Sequence, residues 1–342
     1  MYAGDTDKIT VTIRGDILVI GTPRGDFSSG FWAGSAYVFR TSDGGATYGH
    51  VVKLTAADAD SIDYFGSTVA VDGGTVVIGA EGDDSSTGAV YIFRTLDGGT
   101  TYDQVAKLTL ADKTAGDYFG KSVAIDGDTV VVGASRLEGY VDWSNAIYAR
   151  DAAYIFRTTD GGATYGQVAK LTNPAVNNEF GWSVAIDGGT VVVGARGDDA
   201  AGSEAGAAHV FCTTDGGGTY VEVAKLTASD AAPSDEIGYS EAIEGDATLH
   251  NASTVVVGSP YAGIGGAVYT FRTSDGGATW VETKLPADEP RRTPPSAIPW
   301  RSTAVSWWPG PSWTTAPVPQ APAPAARPTS SARATAGPRT GT

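Results

Sequence analysis

The 342-residue chain carries 39 Asp and Glu against 23 Lys and Arg, a formal net charge of −16. A body this acidic repels phosphate groups, which excludes nucleic acid as a natural partner. The single cysteine, Cys212, excludes an internal disulfide and leaves the redox compartment open, and no apolar run reaches membrane-spanning length.

Residues 1–8 hold no charged-then-apolar leader. Ile9 to Ile13 already reads as a strand, so the chain starts almost inside a repeating unit and Met1 is not expected to be the native start. From there to Leu285 the sequence repeats itself, with a shared Phe at 39, 93, 156, 211 and 271. Each unit holds four short runs rich in Val, Ile, Thr and aromatic residues, bounded by turn residues, which predicts four strands. The first run follows a Phe-Gly pair (Phe65-Gly66, Phe119-Gly120, Phe180-Gly181, and in altered form Ile237-Gly238). The second ends in Gly and a small residue, as in Gly79-Ala80, Gly133-Ala134 and Gly194-Ala195. The third carries an aromatic pair such as Tyr91 and Phe93, and the fourth reads Val-Ala-Lys-Leu-Thr at Val105–Thr109 and Val168–Thr172.

Asp-Gly turns join the first run to the second (Asp72, Asp126, Asp187) and the third to the fourth (Asp43, Asp97, Asp160, Asp215, Asp275). Such dipeptides supply the positive φ of tight hairpins, so each unit is an antiparallel meander. The second run, Val191-Val192-Val193 for example, does not alternate with polar residues, which predicts a strand covered on both faces. Four-stranded sheets sandwiched between like sheets are the blades of a β-propeller. A sheet-on-sheet sandwich, the second choice, buries only one face per strand. The expected fold is therefore an all-β propeller with five blades in frame, at about 9–55, 65–109, 119–172, 180–227 and 237–285, and incomplete. The repeated Lys of the fourth run (Lys53, Lys107, Lys170, Lys225) suits an outer edge strand, where charge discourages pairing with another edge. The third blade carries an insertion, Ser135 to Arg150, whose Tyr140, Trp143 and Tyr148 either contact a ligand or cover a blade edge.

Residues 286–342 are a different material. Twelve of the 17 prolines and six arginines lie after Glu289 with no acid among them, which as written describes a basic, disordered Pro/Ala/Arg-rich tail. The genetic code gives another reading. Taken one base out of frame, Ser296–Ala304 (SAIPWRSTA) can be read as FGYSVAIDG, and Ser306-Trp307-Trp308 yields Val-Val-Val. Pro328–Gly341 can be read as AYIFRTSDGGATYG, which differs from Ala36–Gly49 at one residue. The tail is expected to be a frame-shifted sixth repeat.

The Phe-Gly pair, the Gly-small pair and the spacing between them resemble the FG-GAP repeat of integrin α-chain propellers and related surface proteins, over about five copies. Only Gly21-Thr22-Pro23 and Gly258-Ser259-Pro260 keep a proline after the second pair. A second resemblance overlays it. Thr273 to Trp280 (TSDGGATW) is similar to the Asp-box hairpin of sialidase-like propellers, a turn-stabilising element that lies far from the catalytic residues there. Both resemblances imply the same fold, and neither implies a reaction. The FG-GAP resemblance implies a non-catalytic extracellular or cell-surface binding or adhesion module, with a protein or glycan ligand held by loops at one end of the propeller. An Asp-box glycan-active enzyme and a structural repeat spacer are the alternatives.

Integrin-type repeats carry a calcium loop between their first two strands; the short turn Asp126-Gly127-Asp128 offers too few oxygen ligands for that ion. No cofactor is expected. Acidic doublets after the second strand, Asp83-Asp84 and Asp198-Asp199, are read first as solvated loops that aid solubility and second as a weak Ca²⁺ site. Arg-Gly-Asp occurs at Arg14–Asp16, Arg24–Asp26 and Arg196–Asp198, at turn positions of a Gly/Asp-rich repeat and not as adhesion loops. The periodic arginines before each Asp box (Arg40, Arg94, Arg157, Arg272) point to a role within the blades. His50, His209 and His250 fall at unrelated repeat positions and read as incidental. No carboxylate pair breaks the repeat as glycoside hydrolysis requires, and no P-loop, HExxH or GxSxG motif is present.

Overall fold

A computed structural model describes residues 9–25, 30–112, 114–135, 151–175, 178–245 and 253–286. The chain divides into two compact units, Met1–Ser306 and Trp307–Thr342. The second unit, Tyr140, Trp143, Tyr148, His250 and the whole of 287–342 lie outside the described residues.

The first unit is all-β, with five four-stranded antiparallel sheets whose strands pair in chain order. Blade one holds β1–β4 (Thr10–Arg14, Ile17–Thr22, Ser35–Arg40, Gly49–Leu54), and blade two holds β5–β8 (Thr68–Asp72, Thr75–Ala80, Ala89–Arg94, Asp103–Leu108). Blade three holds β9–β12 (Phe119–Asp126, Thr129–Ala134, Ala152–Arg157, Gly166–Thr172), and blade four holds β13–β16 (Phe180–Asp187, Thr190–Ala195, Ala207–Cys212, Val221–Leu226). Blade five holds β17–β20 (Ser240–Gly245, Ser253–Ser259, Ala267–Thr273, Val281–Pro286). Turns one-to-two and three-to-four of each meander lie at one end, here the hairpin end. Turns two-to-three and the links between blades lie at the other, the loop end.

The unbroken Val runs sit between sheets, as their lack of alternation requires. Every residue of β6 and β10 is buried. Four apolar cores fill the four blade-to-blade interfaces, each drawing side chains from both neighbours. No sheet and no core cluster among the described residues joins the fifth blade to the first.

The Phe-Gly pair is the key between blades. Phe65, Phe119 and Phe180 are fully buried. Each meets the aromatic pair of its own third strand edge-on, as Phe119 does with Tyr154 (5.6 Å) and Phe156 (5.9 Å). Each also packs into the preceding blade: Phe119 shares a core with Val77, Val90 and Ile92. The glycine that follows turns its carbonyl toward the preceding blade, where a first-strand hydroxyl donates to it. Thr10 Oγ1 donates to Gly66 O (2.9 Å), Thr68 Oγ1 to Gly120 O (3.1 Å), Ser122 Oγ to Gly181 O (3.0 Å) and Ser183 Oγ to Gly238 O (2.9 Å). The same carbonyls press on the glycine of the Gly-small pair. A Cβ on Gly133 would lie 2.1 Å from Gly181 O. The two glycine pairs are thus two halves of one contact.

At the hairpin end the first turns are linked in series. Asp72 accepts from Gly127 N (2.6 Å), Asp126 accepts from Gly188 N (2.8 Å), and Asp187 accepts from Gly245 N. Arg14, which takes the place of the turn aspartate in blade one, bridges Asp72 and Asp126 at 3.0 Å each. The Asp boxes are closed knots within their own turns. In the first, Asp43 accepts from Thr41 Oγ1 (2.7 Å), Thr47 N (2.9 Å) and Thr47 Oγ1 (2.6 Å). The Thr47 and Thr41 hydroxyls hold its carboxyl well below the usual carboxylate range.

The periodic arginines tie blade to blade, as their period suggested. Arg40 donates to Gly98 O and Arg157 to Gly216 O, each in the Asp box of the following blade. Cys212 occupies this position in blade four, where its Sγ lies 3.6 Å from Thr190 Oγ1. The fourth interface therefore lacks the latch, and Cys212→Arg is expected to add it by donating to Gly276 O. A single hydrogen bond of this kind adds about 1 kcal/mol, which a melting curve reads as a rise of a few degrees.

Candidate functional site

The loop end holds three positions at which the residue changes from copy to copy. The residue before each Phe-Gly is Tyr64, Tyr118, Glu179 or Glu236, and all four hold a left-handed backbone (φ between 50° and 56°). This conformation costs a non-glycine residue on the order of 1 kcal/mol and persists only where the surroundings impose it. At Tyr64, Tyr118 and Glu236 a short parallel ladder imposes it. The link between blades is zipped to the preceding two-to-three loop, as by Phe65 N to Ala33 O (2.9 Å) and Ile237 N to Ala205 O (2.9 Å).

Two neighbouring positions complete the set, one directly after Phe-Gly (Ser67, Lys121, Trp182, Tyr239) and one directly after Gly-small (Glu81, Arg196). In blades three to five they build one cluster. The Arg196 guanidinium lies 3.5 Å from the Trp182 ring centroid and 5.6 Å from that of Tyr239. Its other edge is held by Glu179, and Nη1 reaches Glu236 at 3.0 Å. Lys121 lies over the other side of the cluster, 4.8 Å from the Trp182 ring, and pairs with Glu81 at 3.0 Å. Burial, reinforced by Glu179 and Glu204, raises the Glu236 carboxyl despite Arg196. A smaller aromatic group lies in blades one and two: Phe31 and Trp32 meet at 4.2 Å, Trp32 stacks near Tyr64, and Arg24 lies 5.0 Å from the Trp32 ring. Fixed rings and cations at one end suit a ligand that offers apolar faces with hydroxyl or carboxylate groups. Sequence reading passed over Trp182 and took Arg196 only as part of an Arg-Gly-Asp turn; the misfit between aligned copies is the signal that marks both.

The acidic doublets split. Asp83 and Asp198 are buried, while Asp84 and Asp199 are exposed, so the reading of solvated loops holds for one residue in each pair. Lys107 reaches Asp83 (2.8 Å) and Asp58 (2.7 Å), and the Tyr91 hydroxyl lies within hydrogen-bond reach of both, 2.7 Å from Asp83 and 2.9 Å from Asp58. Lys225 reaches Asp198 (2.7 Å), and Lys284 reaches Asp230 (2.6 Å). The fourth-strand lysines therefore turn back into loop-end networks in addition to charging an edge. Burial alone would raise the Asp198 carboxyl, but the Lys225 ammonium and the Ala200 backbone N–H hold it well below its ordinary value. Among the described residues no group of three or more His, Cys, Asp and Glu side chains is placed to hold a metal ion.

His209 is not incidental. It stands where the other third strands have Tyr, is buried, and meets Phe180 edge-on at 5.3 Å. Its Nδ1 lies 2.7 Å from Glu222 Oε1 and its Nε2 lies 3.0 Å from Asn173 Nδ2, which places the proton on Nδ1. The Arg-Gly-Asp triplets are bound internally as far as they are described. Arg14 and Asp16 pair with Asp126 and Arg40, and the third triplet's Arg196 and Asp198 are engaged as above.

The model of the FG-GAP repeat matches residues 48–93, 102–156, 165–211 and 220–271. Each match begins at the fourth strand of one blade and ends on the third strand of the next, so every sequence repeat staples two sheets. Among solved structures the chain is similar to a GH74 enzyme of Niastella koreensis, with 15% identity over 81% of this chain and 38% of that one and a TM-score of 0.42. It is also similar to Sqt1 of Saccharomyces cerevisiae, with 12% identity over 85% and 65% and a TM-score of 0.46. The chain thus spans less than two thirds of either structure. No curated protein sequence matches it. With Phe-Gly and Gly-small pairs meeting at three of the four described interfaces, Ile-Gly standing in at the fourth, and four matched repeats covering more than half its length, the chain belongs to the FG-GAP repeat family.

Proposed function

We propose that the chain is a non-catalytic, extracellular binding module whose protein or glycan ligand rests on the loop end, centred on Trp182, Arg196 and Tyr239. One observation carries this reading: the scaffold positions repeat while the three loop-end positions diverge, one of them on a left-handed backbone and the other two carrying the pre-oriented rings and charges. A strained backbone retained at ordered positions points toward a role beyond folding. The Asp boxes add no chemistry to this, because each carboxylate is consumed by its own turn.

Screening against glycan and extracellular-protein arrays, with a fluorogenic glycoside panel run in parallel, tests the reading. Binding without turnover is expected, and Trp182→Ala is expected to weaken it at least about tenfold, as truncation of an aromatic hot spot does. Binding should also survive chelation, since ammonium groups meet Asp83 and Asp198. Glycoside turnover, or binding indifferent to both Trp182→Ala and Arg196→Ala, would reject the proposal.

A further inference from the structure

The four described interfaces are built from one set of parts. The preceding blade supplies a first-strand hydroxyl, the glycine of its Gly-small pair, a bed of second- and third-strand aliphatic side chains and, in three blades, an arginine. The following blade supplies Phe-Gly, or Ile-Gly in blade five. The fifth blade retains the first half of this set: Ser240 for the hydroxyl, Gly258 for the glycine, Val256 and Val268 for the bed, and Arg272 for the latch. Nothing among the described residues fills it. The three atoms nearest a Cβ on Gly258 all belong to Ser240 of its own blade, whereas its equivalents on Gly21, Gly79, Gly133 and Gly194 meet a carbonyl of the next blade at 2.1–2.3 Å. Val268 is 38% exposed where its equivalent Val90 is 0% exposed. The third strand of blade five accordingly alternates buried with exposed or half-buried residues, while β7 and β11 are buried along nearly their whole length.

We infer that this outer face of the fifth blade is a socket for the Phe-Gly of a sixth repeat, the one encoded one base out of frame behind Pro286. A second copy of the chain does not fit it. Among the described residues the other open face belongs to blade one, and the sequence aligns Asp7-Lys8 with Phe-Gly there. Lysine cannot replace that glycine: at Gly66, φ is 91° and a Cβ would lie 2.5 Å from Ser35 O in the preceding blade. The shifted reading FGYSVAIDG does fit. It places Phe-Gly at 296–297, 59 residues after Ile237, against spacings of 54, 61 and 57 between the earlier pairs. It also supplies the serine that continues the hydroxyl series, and its shifted AYIFRTSDGGATYG supplies a third strand and Asp box for Arg272 to reach.

The test compares the 342-residue chain with the same gene read one base earlier after Pro286, each with and without Gly258→Ala. The shifted chain is expected to melt higher by about 5 °C or more, as burial of an exposed blade face would produce. Gly258→Ala should erase most of that gain, and it should change the unshifted chain little because the Ser240 hydroxyl can rotate away. Limited proteolysis gives a second readout, with the shifted segment expected to resist cleavage as long as the body does. Equal melting of the two chains, equal effects of Gly258→Ala in both, or rapid trimming of the shifted segment would overturn the inference.

Discussion

Gly133→Ala is expected to be among the most damaging single-methyl additions available to this protein, lowering stability by at least about 3 kcal/mol and the melting midpoint by roughly 10 °C. The added carbon would lie 2.1 Å from Gly181 O and 2.2 Å from Ser122 Oγ. A flexible side chain could swing aside, but Gly181 O belongs to backbone that is fixed by the neighbouring sheet. Relief requires the two blades to part, which loosens the Phe180 core and breaks the Ser122–Gly181 hydrogen bond together. Gly127→Ala is the control. Its φ of 54° makes alanine uncomfortable, yet no atom stands within 4 Å of the new carbon, so its cost should stay near 1 kcal/mol. Thermal melts of both variants separate close approach from backbone strain. Similar midpoints would mean that the interlock contributes little.

That contact explains why the architecture was legible in the sequence. Phe-Gly needs glycine for both reasons at once, as at Gly181, where φ is 93° and a Cβ would meet Ala152 O at 2.4 Å. Gly133 needs it for space alone. These are backbone constraints identical at every interface, so they recur as motifs, and the Asp-box knots and turn aspartates recur for the same local reason. The loop end was opaque because its partners lie far apart along the chain. Lys107 finds Asp58 from 49 residues away, in the link from the previous blade. Nothing local in the Lys-Leu-Thr run announces that. Asp83 and Asp84 are neighbours with opposite fates because the turn at Asp83–Ser86, with Asp84 and Ser85 left-handed, turns one inward and the other out. His209 could have been found by aligning third strands, since it alone replaces their tyrosine.

Glu241 was visible by the same comparison, and it carries the largest expected pH effect. Its equivalents in the other first strands are Val11, Val69, Val123 and Val184. It is 2% exposed, its carboxylate faces Gly194 across the blade interface, and neither oxygen has a hydrogen-bond partner of good geometry. The nearby Ser183 hydroxyl donates instead to Gly238 O. Burial pushes the carboxyl up from 4.5 to about 8. The folded protein therefore keeps this proton through a range in which the unfolded chain releases it. Stability is unaffected below about pH 4.5, falls as pH rises from there to about 8, and levels off above, for a total loss on the order of 5 kcal/mol. Asp63, raised to about 6 by burial and by Asp83 and Asp60, acts in the same direction over a narrower window. The Asp-box carboxylates act oppositely and only in acid, where protonation removes what their depressed values contribute. Glu241→Val is thus expected to stabilise the protein, modestly at pH 5 and by several kcal/mol at pH 8, as measured by denaturant unfolding at both values. A gain that does not grow with pH would show that Glu241 is ionised in the fold, which would require a cationic or hydrogen-bonding partner for it at the interface between blades four and five.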